Sequence, residues 1–239
     1  MGNIKILIVA TSHEQMGDTD RKTGLWLEEL AVPYYVFKDA GAAITLASPH
    51  AGPVPLDPKS ESTLASNSTV RRFKKDPEAM ACLENAVLLH VQKATDFDMV
   101  FLTGGHGAMW DFPASEPLKQ LLEDFNRQNK PIGAVCHGVA ALVSPAGSGG
   151  EPLVKGRRLT AFSNSEEAVS GLTALVPFLL ESKLVLLGAS YSKGPDFVSH
   201  TVIDGNIITG QNPASSMDLA LKLLARHKEL PKTTIAILN

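Results

Sequence analysis

A cysteine followed by a histidine, Cys136-His137, stands where a buried strand is predicted to turn into a helix. Residues 132–135 form a continuous apolar run, typical of a strand buried on both faces, and residues 139–143 can continue as a helix. Free N–H groups and the dipole at a helix N-terminus favour negative charge. The sequence therefore predicts a lowered pKa and a reactive thiolate for Cys136. The alternative is a structural cysteine beside a surface histidine.

A glycine-rich turn, Gly104-Gly-His-Gly107, follows another predicted strand at residues 98–103. Glycines let the backbone approach a ligand closely and point its N–H groups inward, as an oxyanion hole requires. Close packing alone is the other explanation. The turn has neither the Gly-X-Gly-X-X-Gly nor the Gly-Lys-Ser/Thr pattern, so it does not predict a nucleotide-phosphate site.

Two adjacent acids, Glu28 and Glu29, lie in an otherwise apolar helical segment. Neighbouring residues on a helix point about 100° apart, so one acid can face solvent while the other meets the protein interior. An acid turned inward near a thiol could exchange a proton with it. The alternative is that both acids are surface residues.

Composition and charge exclude several classes of protein. The chain has 239 residues, a net charge of −3, and ordinary hydrophobic (44%) and charged (20%) fractions, so we expect one globular domain over residues 1–239 with no affinity for nucleic acid. No run of about 18 apolar residues predicts a membrane span. Cys82 and Cys136 form no disulfide framework and no zinc-ligand pattern, which favours a reducing, cytoplasmic location and no metal.

The order of predicted elements indicates an α/β fold. The first half reads as strands at 4–10, 43–47, 98–103 and 131–135, with helices at 25–40 (interrupted at Pro33), 77–90 and 116–129, and an irregular loop at 48–68. The second half reads as hairpins at Lys155-Gly156 and Asp204-Gly205, a helix capped by Ser165, and helices at 176–187 and 214–226. This order predicts an open, mostly parallel sheet between helices, with a site at the carboxyl ends of its strands.

Four motifs together resemble the ThiJ/PfpI superfamily. They are Thr23-Gly-Leu-Trp-Leu-Glu-Glu-Leu-Ala-Val-Pro33, Gly104-Gly-His-Gly-Ala-Met-Trp-Asp-Phe112, Ala134-Val-Cys-His-Gly138 and Thr209-Gly-Gln-Asn-Pro-Ala-Ser215. The chain is most similar to the branch described as glutathione-independent glyoxalases (glyoxalase III) and stress chaperones. The resemblance implies the flavodoxin-like fold of class I glutamine amidotransferases, with the nucleophile on a strand-turn-helix elbow.

The resemblance also implies roles for individual residues. Cys136 is the nucleophile, His137 its neighbour in the site, and Glu29, rather than Glu28, the acid that contacts the cysteine. The backbone N–H groups of Gly105 and His137 form the oxyanion hole. His106 is a structural residue of its turn.

The partner of the histidine departs from the family pattern. Where some relatives have an aspartate that orients the histidine, this chain has Asn164, and an amide stabilises an imidazolium less well than a carboxylate does. Glu166 and Glu167 are the alternatives. The late histidines, His200 and His227, lack the His-X-Glu context of glutamine amidotransferases, so glutamine hydrolysis is not expected.

The resemblance implies a glyoxalase that converts methylglyoxal to lactate through a hemithioacetal on Cys136. It needs no cofactor, and its partners are a small aldehyde or dicarbonyl substrate and a second copy of the chain in a homodimer. Two alternatives stay open. One is a cysteine hydrolase, either a deglycase or an amidase/peptidase, and the other is a redox-sensing holding chaperone whose Cys136 oxidises to the sulfinate.

Overall fold

The structure, a computed structural model, describes residues 3–62 and 67–229. Within these ranges the chain forms nine strands and nine α-helices, with short 3-10 turns between some of them. The strands are β1 (Lys5–Val9), β2 (Ala43–Ser48), β3 (Val87–Leu88), β4 (Met99–Leu102), β5 (Ile132–Val135), β6 (Arg158–Leu159), β7 (Ser190–Tyr191), β8 (Thr201–Asp204) and β9 (Ile207–Gly210). The helices are α1 (Glu28–Asp39), α2 (Pro58–Ser62), α3 (Ser68–Lys75), α4 (Pro77–Glu84), α5 (Ala108–Asp111), α6 (Glu116–Arg127), α7 (Asn164–Ser170), α8 (Leu180–Leu186) and α9 (Ser216–Glu229).

Seven of these strands form one sheet in the order β3-β2-β1-β4-β5-β9-β8. All neighbouring pairs are parallel except β8 and β9, which form the hairpin predicted at Asp204-Gly205. The predicted open, mostly parallel sheet is thus confirmed. The chain winds from β1 towards β2 on one side and from β4 towards β5 on the other. The ends of β1 and β4 therefore flank the switch point at which open sheets bind ligands.

Successive residues of the central strands alternate between two apolar layers. Leu7 and Val100 face the layer covered by α6, whereas Ile6 and Met99 face the layer covered by α1 and α9. In α6 the buried side chains recur at helical spacing, at Leu118, Leu121, Leu122 and Phe125. Each fully buried Leu or Phe contributes about 1.5–3 kcal/mol relative to an exposed one. The sheet therefore forms a rigid base for the loops at its carboxyl edge.

The predicted interruption of the first helix at Pro33 is wrong. Helix α1 begins at Glu28 and runs through Pro33 without a break. A proline inside a helix removes one backbone hydrogen bond and crowds the preceding turn. Here the flanking side chains, including Tyr34 and Phe37, are buried in the core, and this packing holds the helix together.

Three other predictions of local structure are wrong. The 152–162 segment is not a hairpin, because β6 pairs in parallel with the distant β7. The helix predicted at 77–90 ends at Glu84, and the chain then adds the short edge strand β3. The loop predicted at 48–68 contains α2, and its residues 63–66 lie outside the described residues. In the first two segments, pairing with a strand distant in sequence decides the conformation.

No described helix is long and apolar enough to cross a membrane.

Candidate active site

Cys136 lies in a strained turn directly after β5. Its φ of +55° is in the left-handed region, which is uncommon for a residue other than glycine. The segment Cys136–Leu142 is a 3-10 turn and not the predicted α-helix. Cys136 is only 3% exposed. Strained conformations of this kind persist where the surrounding structure fixes them, often at functional sites.

His137 connects Cys136 to Glu167 through its two ring nitrogens. Nδ1 lies 3.3 Å from Sγ of Cys136, and Nε2 lies 2.8 Å from Oε2 of Glu167. Because a carboxylate only accepts hydrogen bonds, the proton of the neutral ring is on Nε2. Nδ1 therefore presents its lone pair to the thiol. This geometry lets His137 accept a proton from Cys136.

His106 shares the same carboxylate. Its Nε2 donates to Oε1 of Glu167 at 2.9 Å, and its ring centroid lies 4.0 Å from that of His137. The sequence predicts only a structural role for His106, whereas the structure places its side chain beside the residue that orients His137. No local pattern signals this contact, because 61 residues separate His106 from Glu167.

Burial and hydrogen bonding determine the charges of His137 and Glu167. Burial lowers the pKa of His137 to about 4, an effect that the neighbouring His106 increases and the bond to Glu167 only partly offsets. Burial alone would raise the pKa of Glu167, but its hydrogen bonds with His106 and His137 hold that pKa well below the usual value. At neutral pH, His137 is thus an uncharged base and Glu167 a carboxylate.

Among the candidates for orienting the histidine, Glu167 is the one that contacts the ring. The amide of Asn164 donates to Ser182 Oγ at 2.9 Å instead. The cap of α7 is Ser163 rather than the predicted Ser165, and Glu166 completes its capping box. Glu166 also accepts hydrogen bonds from the Asn212 amide and the Phe197 N–H, both at 2.8 Å. Glu166 therefore connects the start of α7 to the segments that contain Phe197 and Asn212, next to the site.

Glu29 is the acid that lies beside the Cys136 thiol. Its carboxyl group is fully buried and lies next to the Cys136 thiol and the Gly104 N–H, but neither of its oxygens makes a hydrogen bond with a described residue. Glu28 points elsewhere and accepts from the Asn67 amide at 2.8 Å. The two adjacent acids thus have different environments, and Glu29 is the one beside the thiol.

Glu29 and Cys136 hold at most one negative charge between them at neutral pH. Burial raises the pKa of both groups, and the charge on Glu29 raises that of Cys136 further. Two negative charges in contact inside the protein would repel strongly, so the two groups titrate as a pair. The predicted lowering of the Cys136 pKa is wrong. The backbone N–H of His137 does favour the thiolate, but burial and the charge on Glu29 have the larger effect on the pKa of Cys136.

Replacing Glu29 with glutamine should lower the apparent pKa of the Cys136 thiol, because the second proton then leaves without creating two adjacent charges. The pH dependence of alkylation by iodoacetamide measures this pKa, with the site of modification checked by mass spectrometry. Glu28→Gln is the matched control and should leave the curve in place. An unchanged curve for Glu29→Gln would show that the two groups are not coupled.

The Gly104-Gly105 turn permits this close packing. A Cβ on Gly104 would lie 2.2 Å from Oε2 of Glu29, and one on Gly105 would lie 2.2 Å from the Gly24 carbonyl oxygen. Gly105 also has a φ of +97°, which L side chains rarely adopt. Both Gly105 and His137, the predicted oxyanion-hole residues, line the same cavity as Cys136.

The cavity beside Cys136 has a volume of about 350 Å³. Its reactive wall contains Gly105, His106, Cys136 and His137. The remaining walls are Met16, Arg21, Lys22, Trp26, Asp57, Pro58, Lys59, Phe162, Ser170, Leu172, Phe197 and Pro213. The Phe162 ring contacts the His137 ring in a tilted arrangement, with centroids 4.4 Å apart. The aromatic walls were not predicted, because they come from segments distant in sequence.

Within the described residues, His106, His137 and Glu167 place three atoms capable of binding a metal within 4.8 Å of one another. Hydrogen bonds among the three side chains already occupy these atoms. The close approach of the three side chains is therefore explained by Glu167 orienting the His106 and His137 rings.

Known proteins resemble this chain in both sequence and structure. Glyoxalase 3 of Candida albicans is 32% identical over 93% of this chain and 98% of its own length. The structure of Rapid Encystment Protein 24 kDa of Francisella tularensis matches with a TM-score of 0.90 and 38% identity, covering 94% of this chain and 99% of that one. Glyoxalase III of C. albicans matches with a TM-score of 0.86 and 28% identity over 93% and 97% of the two chains. The model of the DJ-1/PfpI family matches residues 23–226, and the chain thus belongs to this family.

Proposed function

We propose that this protein is a glutathione-independent glyoxalase that converts methylglyoxal to lactate. The observation that carries the proposal is a buried thiol, Cys136, held between Glu29 and the unprotonated Nδ1 of His137 at the wall of a cavity. The names of the C. albicans relative and of the solved C. albicans structure support it. In this proposal Cys136 takes the part that glutathione has in thiol-dependent glyoxalases.

The first step forms a bond between Sγ of Cys136 and the aldehyde carbon of methylglyoxal. The thiol proton passes to Nδ1 of His137, which lies 3.3 Å away, and Glu167 stabilises the imidazolium through Nε2. The negative charge that develops on the aldehyde oxygen faces the backbone N–H groups of Gly105 and His137. This oxygen then takes the proton, and the product is a hemithioacetal.

The second step moves a proton between two carbons. His137 removes the proton from the former aldehyde carbon, and the former ketone oxygen takes up a proton, which gives an enediol bonded to Sγ. The former ketone carbon then takes a proton from His137 while the hydroxyl on the sulfur-bearing carbon loses its own, and the product is a 2-hydroxy thioester of Cys136. His137 is better placed for this transfer than Glu29, because His137 lines the cavity whereas Glu29 is fully buried behind Cys136. We therefore assign proton transfer to His137, and control of the charge on Cys136 to Glu29.

The last step releases the product. Water attacks the thioester carbon, the C–S bond breaks, and the thiolate recovers its proton. One carbon has been oxidised to a carboxylate and its neighbour reduced to an alcohol, with water as the only added reactant. Because the oxidation and the reduction occur within the same molecule, the reaction requires no external oxidant, reductant or cofactor.

The test is to incubate the purified protein with methylglyoxal in buffer without glutathione or other thiols. We expect methylglyoxal to disappear and lactate to form in equal amounts, at a rate proportional to protein concentration. Reaction in deuterated water should leave solvent deuterium at C2 of part of the lactate, because an enediol exchanges its proton. Absence of lactate from protein whose Cys136 is verified as reduced would contradict the proposal.

A cysteine hydrolase is the second candidate, because Cys136, His137 and Glu167 have the order of contacts found in hydrolytic triads. A carboxylate, rather than the amide of Asn164, contacts His137. Hydrolysis of glycated amines differs from glyoxalase activity in its products. Release of free amine from a purified methylglyoxal adduct, in the absence of free dicarbonyl, would favour the hydrolase.

We also propose that the chain acts as one domain, in the cytoplasm, and as a homodimer. The family model, which matches residues 23–226, supports a single domain, and the homodimer is what the resemblance given under the sequence analysis implies. Sedimentation analysis at several protein concentrations measures the state of association.

A further inference from the structure

The cavity is much larger than methylglyoxal. Its volume of about 350 Å³ is in the range of pockets for drug-sized ligands, roughly 300–1,000 Å³, whereas methylglyoxal has a three-carbon skeleton. A substrate that small would leave most of the cavity to water. The extra space therefore points to a longer substrate.

The walls of this extra space are apolar and partly aromatic. Trp26, Phe162 and Phe197 line it together with Leu172. Phe162 and Phe197 contact each other with centroids 6.2 Å apart, in an edge-to-face arrangement. Such walls favour a flat, apolar group attached to the reacting dicarbonyl, because burying it removes apolar surface from water.

Cations also line the cavity. Arg21, Lys22 and Lys59 contribute to the lining, against one carboxylate, Asp57. Lys22 forms an exposed ion pair with Glu14 at 3.3 Å, while among the described residues no ion pair involves the side chain of Arg21 or Lys59. The Asp57 carboxylate accepts hydrogen bonds from Thr23 Oγ1 at 3.0 Å and the Lys59 N–H at 2.9 Å. Arg21 and Lys59 therefore remain able to bind an anion.

We infer that the preferred substrate is a 2-oxoaldehyde with an apolar body that ends in an anionic group such as a carboxylate. This inference rests on the proposed glyoxalase function and adds the substrate class. The aldehyde carbon bonds to Cys136, the body lies against the aromatic walls, and the anion faces Arg21 and Lys59. The chemistry is unchanged: an arylglyoxal and water give an aryl-substituted 2-hydroxyacetate by the same internal oxidation and reduction.

The test compares initial rates with 4-carboxyphenylglyoxal, the neutral 4-methylphenylglyoxal and methylglyoxal. We expect kcat/KM for the carboxylate to exceed that for the methyl compound by at least about threefold at low salt, with the ratio falling as salt rises to about 0.5 M. The double variant Arg21→Gln/Lys59→Gln should lose this preference. Lys75→Gln, which removes an exposed cation on α3 outside the cavity, is the control and should retain it. Rates are taken before arylglyoxals modify arginine, as checked by mass spectrometry.

The outcomes separate the two proposals. Turnover of methylglyoxal without a preference for the carboxylate, or a preference that survives in the double variant, would overturn the inference and leave the glyoxalase function intact. Turnover of the carboxylate compound alone, with the preference lost in the double variant, would support the inference and remove methylglyoxal as a substrate. If all three compounds are inert, both proposals fail.

Discussion

Replacing Cys136 with serine is expected to slow methylglyoxal conversion by at least about 10³-fold. A serine hydroxyl has nearly the same size, so it fits the turn at φ +55°, but it loses its proton far less readily than a thiol does. His137, with a pKa of about 4, is too weak a base to compensate. The measurement is lactate formation under the glutathione-free conditions given above.

Cys82→Ser is the matched control for this substitution. Cys82 is the other free cysteine and is half-buried outside the cavity, so its replacement should leave the rate within about twofold. Circular dichroism and the thermal midpoint establish that both variants are folded. A folded Cys136→Ser variant that retains a tenth or more of the wild-type rate would show that Cys136 is not the nucleophile.

The sequence is sufficient to predict which strand ends meet at the cavity. Parallel strands bring their carboxyl ends to one edge of a sheet, and the buried runs before Gly104 and Cys136 are unambiguous strands. The inward orientation of Glu29 and the outward one of Glu28 also agree with helical geometry. These features depend on local pattern and sheet topology, which a single sequence records well.

The partner of His137 was not predictable to the same degree. Asn164, Glu166 and Glu167 are neighbours in sequence, and the start of α7 decides which one faces the histidine. The cap is Ser163, two residues before the predicted one, and this start places Glu166 at the third helical position, where it completes the capping box. With the helix begun at Asn164, Glu166 turns to cap it and Glu167 meets the two rings.

The charge of Cys136 depends on burial that the sequence does not record. A turn at the start of a helix predicts a lowered thiol pKa, but that argument assumes partial exposure. In the folded protein Cys136 is almost completely covered, and Glu29 is beside it. Reactivity therefore depends on His137 receiving the thiol proton when substrate arrives.

Glu167→Gln is expected to lower kcat/KM for methylglyoxal by about 10²–10⁴-fold. The carboxylate accepts from Nε2 of both His106 and His137. A glutamine amide can accept from only one of them with its oxygen, because its NH₂ group is a donor. In either orientation of the amide, the negative charge that stabilises protonated His137 is gone. Where the NH₂ group faces His137, the bond that keeps the His137 proton on Nε2 and its lone pair towards the thiol is lost as well. Asn164→Ala, which removes the neighbouring amide without touching His137, is the control and should change the rate by less than about threefold.

The pH profile distinguishes this role from a structural one. A general base acts when unprotonated, so kcat/KM should fall in the wild type as the pH drops through the His137 pKa of about 4. The bond from Glu167 raises that pKa, and removing the carboxylate should therefore move the acid limb of the Glu167→Gln profile to lower pH. A variant that is merely destabilised would lose activity at higher pH than the wild type, because a weakened fold tolerates acid less well. An acid limb that moves upward would thus contradict the assignment of Glu167 as the residue that positions His137 and stabilises its charge.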